Sequence, residues 1–364
     1  MRVIISGGGT GGHIYPAIAI ADKIKRKNRS AEILFVGTKR GMEKDIVPKY
    51  GYDIRFISAS GFNRKKIHKN IFTIRDFIKG SIEAKKIIEE FNPDIVIGTG
   101  GYVCAPVIRE AYKCGVKAFI HEQNAIPGIT NKFLEKYVEK VFISFEETAK
   151  YFKESSKLVY SGNPIRRSFL LAGFKDYRKE LGLSSKDFVV LCFGGSLGAK
   201  KINSVMEELI ASLYKAPNFK LYFVTGKYYY NNIADNLAKR NIDLGNNIHI
   251  FPYLDNIHEY YFASDLIISR AGALTVSEIT ASGRPSILIP SPNVTGNHQF
   301  FNAKVVADKG GAVLIEEKNL TPEKLEATIL RLMNNREALN RMADASSSIG
   351  KSDGVDVIYD HLGI

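Results

Sequence analysis

Val3-Ile4-Ile5-Ser6-Gly7-Gly8-Gly9-Thr10-Gly11-Gly12-His13-Ile14-Tyr15-Pro16 is the stretch from which the rest of the chain is read. Three apolar residues run into five glycines within six positions, and a helical pattern follows from Tyr15-Pro16. A strand that ends in such a loop and continues as a helix presents unpaired N–H groups and a positive dipole end to an anion. The missing side chains let a phosphate come close to the backbone. His13 stands at the exit of the loop, placed to contact or to catalyse. Gly7-x-Gly9-x-x-Gly12 also fits the dinucleotide fingerprint, which needs a carboxylate at the end of the second strand to hold a ribose. That strand ends Phe35-Val36-Gly37-Thr38 without one, and the dinucleotide reading is dropped.

Outward from this stretch, strands and helices alternate. Val3–Ser6, Glu32–Gly37, Asp53–Ile57, 94–98, Lys117–His121 and Lys140–Ser144 read as strands. Helices fit at Ala17–Lys27, Ile71–Glu90 and Thr130–Val138. Ser161-Gly162-Asn163-Pro164 is a turn cluster, and the pattern restarts after it with the apolar strand Phe188–Phe193 and the loop Gly194-Gly195-Ser196-Leu197-Gly198-Ala199. Strand–helix alternation of this length implies parallel sheets with helices on both faces. The expected fold is α/β, with two doubly wound Rossmann-like domains facing across a cleft. The first is read as 1–162 and the second as 163–341, with a C-terminal helix within about 342–364 returning to the first.

Composition narrows the function classes. With 45% hydrophobic and 24% charged residues, the chain is that of a folded globular protein. Cys104, Cys114 and Cys192 have no metal-type spacing; Cys104 and Cys192 lie in apolar surroundings and read as small buried hydrophobes of a protein in a reducing cytosol. The charge-free run from Ile95 to Ile108 falls short of the roughly 20 apolar residues that a membrane span needs. The net charge of +13 is lopsided: 28 Lys+Arg stand against 17 Asp+Glu up to Gly162, and 23 against 21 beyond it. The first half therefore faces something anionic.

Further clusters follow strands, where a doubly wound sheet places its ligands. Gly98-Thr99-Gly100-Gly101-Tyr102 and His121-Glu122-Gln123-Asn124 do so in the first half, and four polar residues in a row at a strand end serve no packing purpose. In the second half, Ser196 can donate to a phosphate oxygen. Small residues at Arg270-Ala271-Gly272-Ala273 let a diphosphate or ribose approach, and Glu278 can accept from ribose hydroxyls. Asn297-His298-Gln299 offers polar groups to a sugar. No Asp-x-Asp pair is present to hold a divalent ion, and no metal site is expected. Along Asn63–Lys86, Ile71, Ile74, Ile78 and Ile82 lie near one helical face with Phe72 and Phe77 close by, and Lys65, Lys66 and Lys69 beside them. An amphipathic core helix with a solvated basic side and a patch on an anionic membrane surface are both open readings. Nucleic acid is not expected, because no aromatic stacking platform accompanies the charge.

Taken together, six segments resemble the MurG family, the GT-B-fold UDP-N-acetylglucosamine transferases of peptidoglycan synthesis. They are Gly8-Gly9-Thr10-Gly11-Gly12-His13, Gly100-Gly101-Tyr102-Val103, His121-Glu122-Gln123-Asn124, Gly162-Asn163-Pro164-Ile165-Arg166, Gly194-Gly195-Ser196-x-Gly198-Ala199 and Gly272-Ala273-Leu274-Thr275-Val276-Ser277-Glu278. They occur in the family's order.

The resemblance implies inverting transfer of GlcNAc from UDP-GlcNAc, a substrate and not a cofactor, to the 4-hydroxyl of undecaprenyl-pyrophosphoryl-MurNAc-pentapeptide. The enzyme would be peripheral, at the cytoplasmic face of the plasma membrane. It implies donor contacts from Arg166, Ser196, Leu254, Ala273, Leu274, Thr275, Val276, Ser277, Glu278 and Gln299 in the second domain. Thr10, Gly11, Gly12 and Asn124 would reach the donor from the first domain. The acceptor would lie in the first domain, at Gly100, Gly101 and Tyr102. His13 is the first candidate for the base and Glu122 the second. A transferase acting on another lipid such as diacylglycerol, a UDP-GlcNAc epimerase of the same fold, and a nucleotide-sugar-binding module without catalysis are the alternatives.

Overall fold

Val3, Ile4 and Ile5 have both sheet faces covered, as a continuous apolar run requires of a strand buried on both sides. The computed structural model describes residues 1–61 and 70–364, and divides the chain into two units. Met1–Arg167 with Lys351–Ile364 forms the first, and Ser168–Gly350 the second. The sequence reading ended the first domain at Gly162. By contacts it continues to Arg167, and the returning segment begins at Lys351.

The first unit holds seven parallel strands: β1 (Arg2–Ser6), β2 (Glu32–Gly37), β3 (Asp53–Phe56), β4 (Ile95–Gly98), β5 (Lys117–Glu122), β6 (Lys140–Ile143) and β7 (Leu158–Tyr160). Their order is β3-β2-β1-β4-β5-β6-β7, so the winding reverses between β1 and β4. Alternate residues feed opposite faces. Ile4, Val96, Ile120 and Val141 enter one core, whereas Val3, Ile5, Ile97, Phe119 and Phe142 enter the other. Among the described residues, the α-helices between these strands are α1 (Gly11–Lys27), α2 (Glu43–Lys49), α3 (Asn70–Phe91), α4 (Cys104–Lys113) and α5 (Ile129–Leu134).

Helix α1 starts at Gly11, ahead of the helical pattern at Tyr15-Pro16 and of the expected range Ala17–Lys27. Buried Ile14 and Pro16 pull its first turns onto the sheet, and tertiary packing of this kind outweighs the low propensity of Gly11 and Gly12. Pro16 has no N–H, so the Gly12 carbonyl receives no helical hydrogen bond from it.

The second unit repeats the design with β8 (Phe188–Phe193), β9 (Phe219–Val224), β10 (Ile248–Phe251), β11 (Leu266–Ser269), β12 (Ser286–Leu288) and β13 (Ala312–Leu314) in the order β10-β9-β8-β11-β12-β13, all parallel. Its helices are α6 (Arg167–Ala172), which opens on the last residue of the first unit, α7 (Tyr177–Glu180), α8 (Lys200–Leu213), α9 (Tyr230–Lys239), α10 (Ile257–Ala263), α11 (Ala273–Ala281), α12 (His298–Asp308), α13 (Pro322–Met333) and α14 (Arg336–Ile349). Thr321 caps α13 by accepting from the Lys324 amide, with proline at the first helical position. The chain then returns to the first unit as α15 (Gly354–Asp360), which packs on α1 and buries Ile358 and Leu362 in that core. Cys104 and Cys192 are buried and Cys114 is exposed. Among the described residues, no helix is long and apolar enough to cross a membrane.

Candidate active site

Register brings the polar strand ends of the first unit together. Ser6 pairs with Gly98, and Gly98 with Ile120, so the loops after β1, β4 and β5 leave the sheet side by side. The Thr99 amide continues the ladder by donating to the Ser6 carbonyl at 2.8 Å. This is the point where the winding reverses and where open α/β sheets bind ligands. Thr10 precedes α1 in extended conformation and makes no side-chain cap, and the first turn carries no acidic residue. Thr10 and Gly12 are exposed, leaving the positive end of α1 open to an anion.

His13 lies in that first turn. Its Nδ1 is 3.1 Å from the Thr99 carbonyl and 3.1 Å from Gln123 Oε1. The Thr99 hydroxyl donates to the His13 carbonyl at 2.8 Å. Gly100 has φ +108°, and a Cβ there would stand 2.5 Å from His13 Nδ1, so only glycine lets the ring occupy this place. Gln123, which bonds the ring, is itself held by a second member of the β5 cluster: its Nε2 donates to the Thr99 carbonyl at 2.7 Å and to His121 Nδ1 at 2.9 Å. Burial pushes His121 down to about 4, so the ring is neutral.

Glu122 sits differently. It is buried, and its carboxylate accepts from the Asn124 amide at 2.9 Å, Asn124 Nδ2 at 3.2 Å, the Gly128 amide at 2.9 Å and Asn131 Nδ2 at 2.8 Å. These contacts organise the loop that carries Asn124. Sequence reasoning missed Glu43, which is fully buried and accepts from the Gly9 amide at 2.9 Å and from the Thr38 amide and hydroxyl at 2.9 and 2.8 Å. The acid absent from the end of β2 is thus supplied five residues past Thr38, and it binds the protein's own glycine loop. An acidic residue in the first turn of α2 was the only local signal for it. Gly101 lies beside the Gly8 carbonyl, and the Tyr102 ring is exposed next to Gly61. Arg166 was assigned to the second domain; it belongs to the first unit, with its guanidinium 5.5 Å from the centroid of the Tyr15 ring.

In the second unit, β8 runs into Gly194–Ala199 and α8, whose first turn is also free of acidic residues. A Cβ at Gly198, where φ is +77°, would stand 2.0 Å from the Thr225 carbonyl oxygen. The turn is closed by the Gly198 amide donating to the Gly195 carbonyl at 3.0 Å, and Ser196 is left exposed at its tip. Gly272 precedes α11 in extended conformation with no side-chain cap. Ala273, Leu274, Thr275, Ser277 and Glu278 are half-buried at that opening, and the Tyr261 hydroxyl donates to Glu278 Oε2 at 3.4 Å.

Val276 is 1% exposed, and its amide donates to the Gly272 carbonyl at 2.9 Å. The helical spacing of Val276, Ile279 and Thr280 marked that buried face. Gln299 Oε1 accepts from the Ser291 amide at 2.9 Å, which ties α12 to the loop before it. The unpredicted Asn302, fully buried, ties the same helix to the Ala271 carbonyl at 3.2 Å. Leu254 is half-buried in the loop after β10.

Along α3, Ile74, Ile78 and Ile82 are 60%, 57% and 68% exposed and form one i, i+4, i+8 stripe. Phe77 is half-buried under the Arg109 guanidinium, 5.7 Å from its ring centroid. Lys65, Lys66, Lys69 and the side chains of Ile71 and Phe72 lie outside the described residues.

Two parallel-sheet units, each with a strand that runs through a glycine loop into a helix, form a GT-B-type fold. The sequence matches the glycosyltransferase family 28 N-terminal domain over residues 3–143 and the C-terminal domain over residues 189–358, and the chain belongs to this family. Over its full length it is similar to enzymes named UDP-N-acetylglucosamine–N-acetylmuramyl-(pentapeptide) pyrophosphoryl-undecaprenol N-acetylglucosamine transferase. The relative from Clostridioides difficile (strain 630) is 45% identical over 364 residues, all of this chain and 88% of the relative. That from Thermoanaerobacter sp. (strain X514) is 45% identical over 359 residues, 99% of this chain and 98% of the relative. Among solved structures, the crystal structure of Acinetobacter baumannii MurG matches with a TM-score of 0.81 at 28% identity, covering 100% of this chain and 99% of that one.

Proposed function

We propose that the chain transfers N-acetylglucosamine from UDP-N-acetylglucosamine to the 4-hydroxyl of undecaprenyl-pyrophosphoryl-MurNAc-pentapeptide, the last cytoplasmic step of lipid II synthesis. The observation that carries this reading is the 45% identity, across all 364 residues, to a relative named for such a transfer. The second unit binds the donor through Ser196, the opening of α11 with Glu278, and Gln299. The first unit takes the acceptor at Gly100, Gly101 and Tyr102.

In the reaction, the acceptor oxygen forms a bond to the anomeric carbon of GlcNAc as the bond from that carbon to the UDP oxygen breaks. UDP leaves with the electron pair, the α linkage becomes β, and the hydroxyl proton passes to His13. His13 is preferred to Glu122 because four donors already occupy the Glu122 carboxylate. A positioned base contributes roughly 10²–10⁴ in rate. Loop amides and helix openings meet the charge of the leaving diphosphate, so no divalent ion is assigned to the step. The exposed Ile74–Ile78–Ile82 stripe, in a first half rich in Lys and Arg, rests on the anionic cytoplasmic surface of the plasma membrane, where the lipid tail of the acceptor stays.

The test is radiolabelled UDP-GlcNAc offered to undecaprenyl-linked MurNAc-pentapeptide and to diacylglycerol side by side, with and without EDTA. Label is expected on the first acceptor alone and unaffected by chelation. Label on diacylglycerol alone, or donor binding with no transfer to either, overturns the proposal.

A further inference from the structure

One run of contacts in the first unit fixes where a proton sits. His121 Nε2 lies 3.0 Å from the Gly162 carbonyl and 3.2 Å from Ser144 Oγ, whose hydrogen goes to the Glu122 carbonyl at 2.7 Å, so both neighbours accept and this nitrogen carries the hydrogen. Because burial keeps the ring neutral, His121 Nδ1 then bears the lone pair, and it takes a hydrogen from Gln123 Nε2. That same Nε2 faces the Thr99 carbonyl, so the orientation of the Gln123 amide is set twice. Its Oε1 is thereby turned to His13, and two oxygen acceptors, Gln123 Oε1 and the Thr99 carbonyl, confront His13 Nδ1 at 3.1 Å each. Nε2 of His13 meets no hydrogen-bond partner among the described residues.

We propose that Gln123 and His121 are positioning residues that hold His13 in its Nδ1–H tautomer, leaving Nε2 as the nitrogen that receives the acceptor's proton. The second nitrogen of a histidine is set by the bond the first one makes. Once Nε2 takes the proton, the ring gains charge, and the two oxygens facing Nδ1–H become partners of a charge-assisted donor. The proposal rests on the reading of His13 as the base.

The test is two-bond proton–nitrogen NMR on protein labelled with ¹⁵N-histidine, with His13→Ala used to assign the His13 signals. The wild type is expected to show His13 protonated at Nδ1 and bare at Nε2, and His121 protonated at Nε2. In Gln123→Leu, and in the shape-preserving Gln123→Met, His13 is expected to populate both tautomers. Turnover there should fall about ten- to a hundredfold, less than in His13→Ala, while UDP-GlcNAc affinity is unchanged. A wild-type His13 protonated at Nε2, or Gln123 variants with unchanged tautomer and turnover, overturns the proposal. If His13→Ala keeps full turnover, the assignment of the base fails whatever the spectrum reports. If His13→Ala is inactive and the spectrum shows Nε2–H, the tautomer proposal alone fails.

Discussion

The Glu43 carboxylate accepts the Gly9 amide at 2.9 Å across 34 residues of chain. Its other oxygen takes the Thr38 amide and hydroxyl, so one buried side chain ties the end of β2 to the loop before α1. Glu43→Ala leaves these donors unmet inside the fold. The expected loss is about 3 kcal/mol in the unfolding free energy of the first unit by urea titration, with a smaller loss for Glu43→Gln. Unchanged stability in Glu43→Ala would show that the loop does not depend on this contact.

His13 and Glu122 separate by what their removal costs. His13→Ala should lower kcat by roughly 10²–10⁴ while calorimetry finds UDP-GlcNAc binding intact. Glu122→Gln should instead cost about 1–3 kcal/mol of stability, because an NH₂ group replaces one oxygen that now accepts two hydrogen bonds. Its rate loss should be the smaller of the two. The opposite ranking would make Glu122 the base.

His121 makes the first unit acid-sensitive. Its folded value, about 4, lies below the ordinary 6.5, so the unfolded chain binds the proton more readily. This contribution to stability is whole above pH 6.5, declines as the pH falls from 6.5 to 4, and changes no further below that. The shift corresponds to about 3 kcal/mol. Urea unfolding of the first unit at about pH 7 and about pH 4 should show a steeper loss in the wild type than in His121→Gln. Equal slopes would remove His121 as the cause.

The α3 stripe predicts membrane affinity. Ile74→Ser with Ile78→Ser should weaken co-sedimentation with anionic vesicles, as should added salt or charge reversal at Lys65, Lys66 and Lys69. Binding indifferent to salt and charge would remove the electrostatic part. Binding indifferent to the isoleucine changes would remove the stripe.

Gly198→Ala sets a methyl group against the Thr225 carbonyl oxygen and strains φ as well. A cost of at least about 1–3 kcal/mol in the second unit is expected by urea titration, accompanied by weaker UDP-GlcNAc binding. A neutral substitution would mean that the turn relaxes freely.

The two wound units were legible because their signal is local. Apolar runs such as Phe188–Phe193 followed by glycine and a helical pattern announce strand, loop and helix without reference to the rest of the chain. Less was legible where the deciding partner is distant or the element short. β7 and β13 have three residues each, too few to show a period. Asn302 looks like any helical polar residue until the Ala271 carbonyl, 31 positions away, is set beside it. Arg166 follows a turn cluster that reads as a boundary, yet its stacking on Tyr15 and the contacts of the chain around it keep it with the first unit.

By itself, then, the sequence determined the parallel α/β class, the two glycine loops at strand ends and the polar character of the segments after β4 and β5. All of these depend on residues within a few positions of one another. The tertiary structure alone decided that His13 meets Gln123, 110 residues away, that His121 meets the Gly162 carbonyl, 41 residues away, and that Glu43 turns its carboxylate onto the Gly9 amide, 34 residues away. The physical reason is register. Covering the sheet on both faces fixes which strand ends lie level, and only then do side chains from distant parts of the chain come within hydrogen-bonding reach.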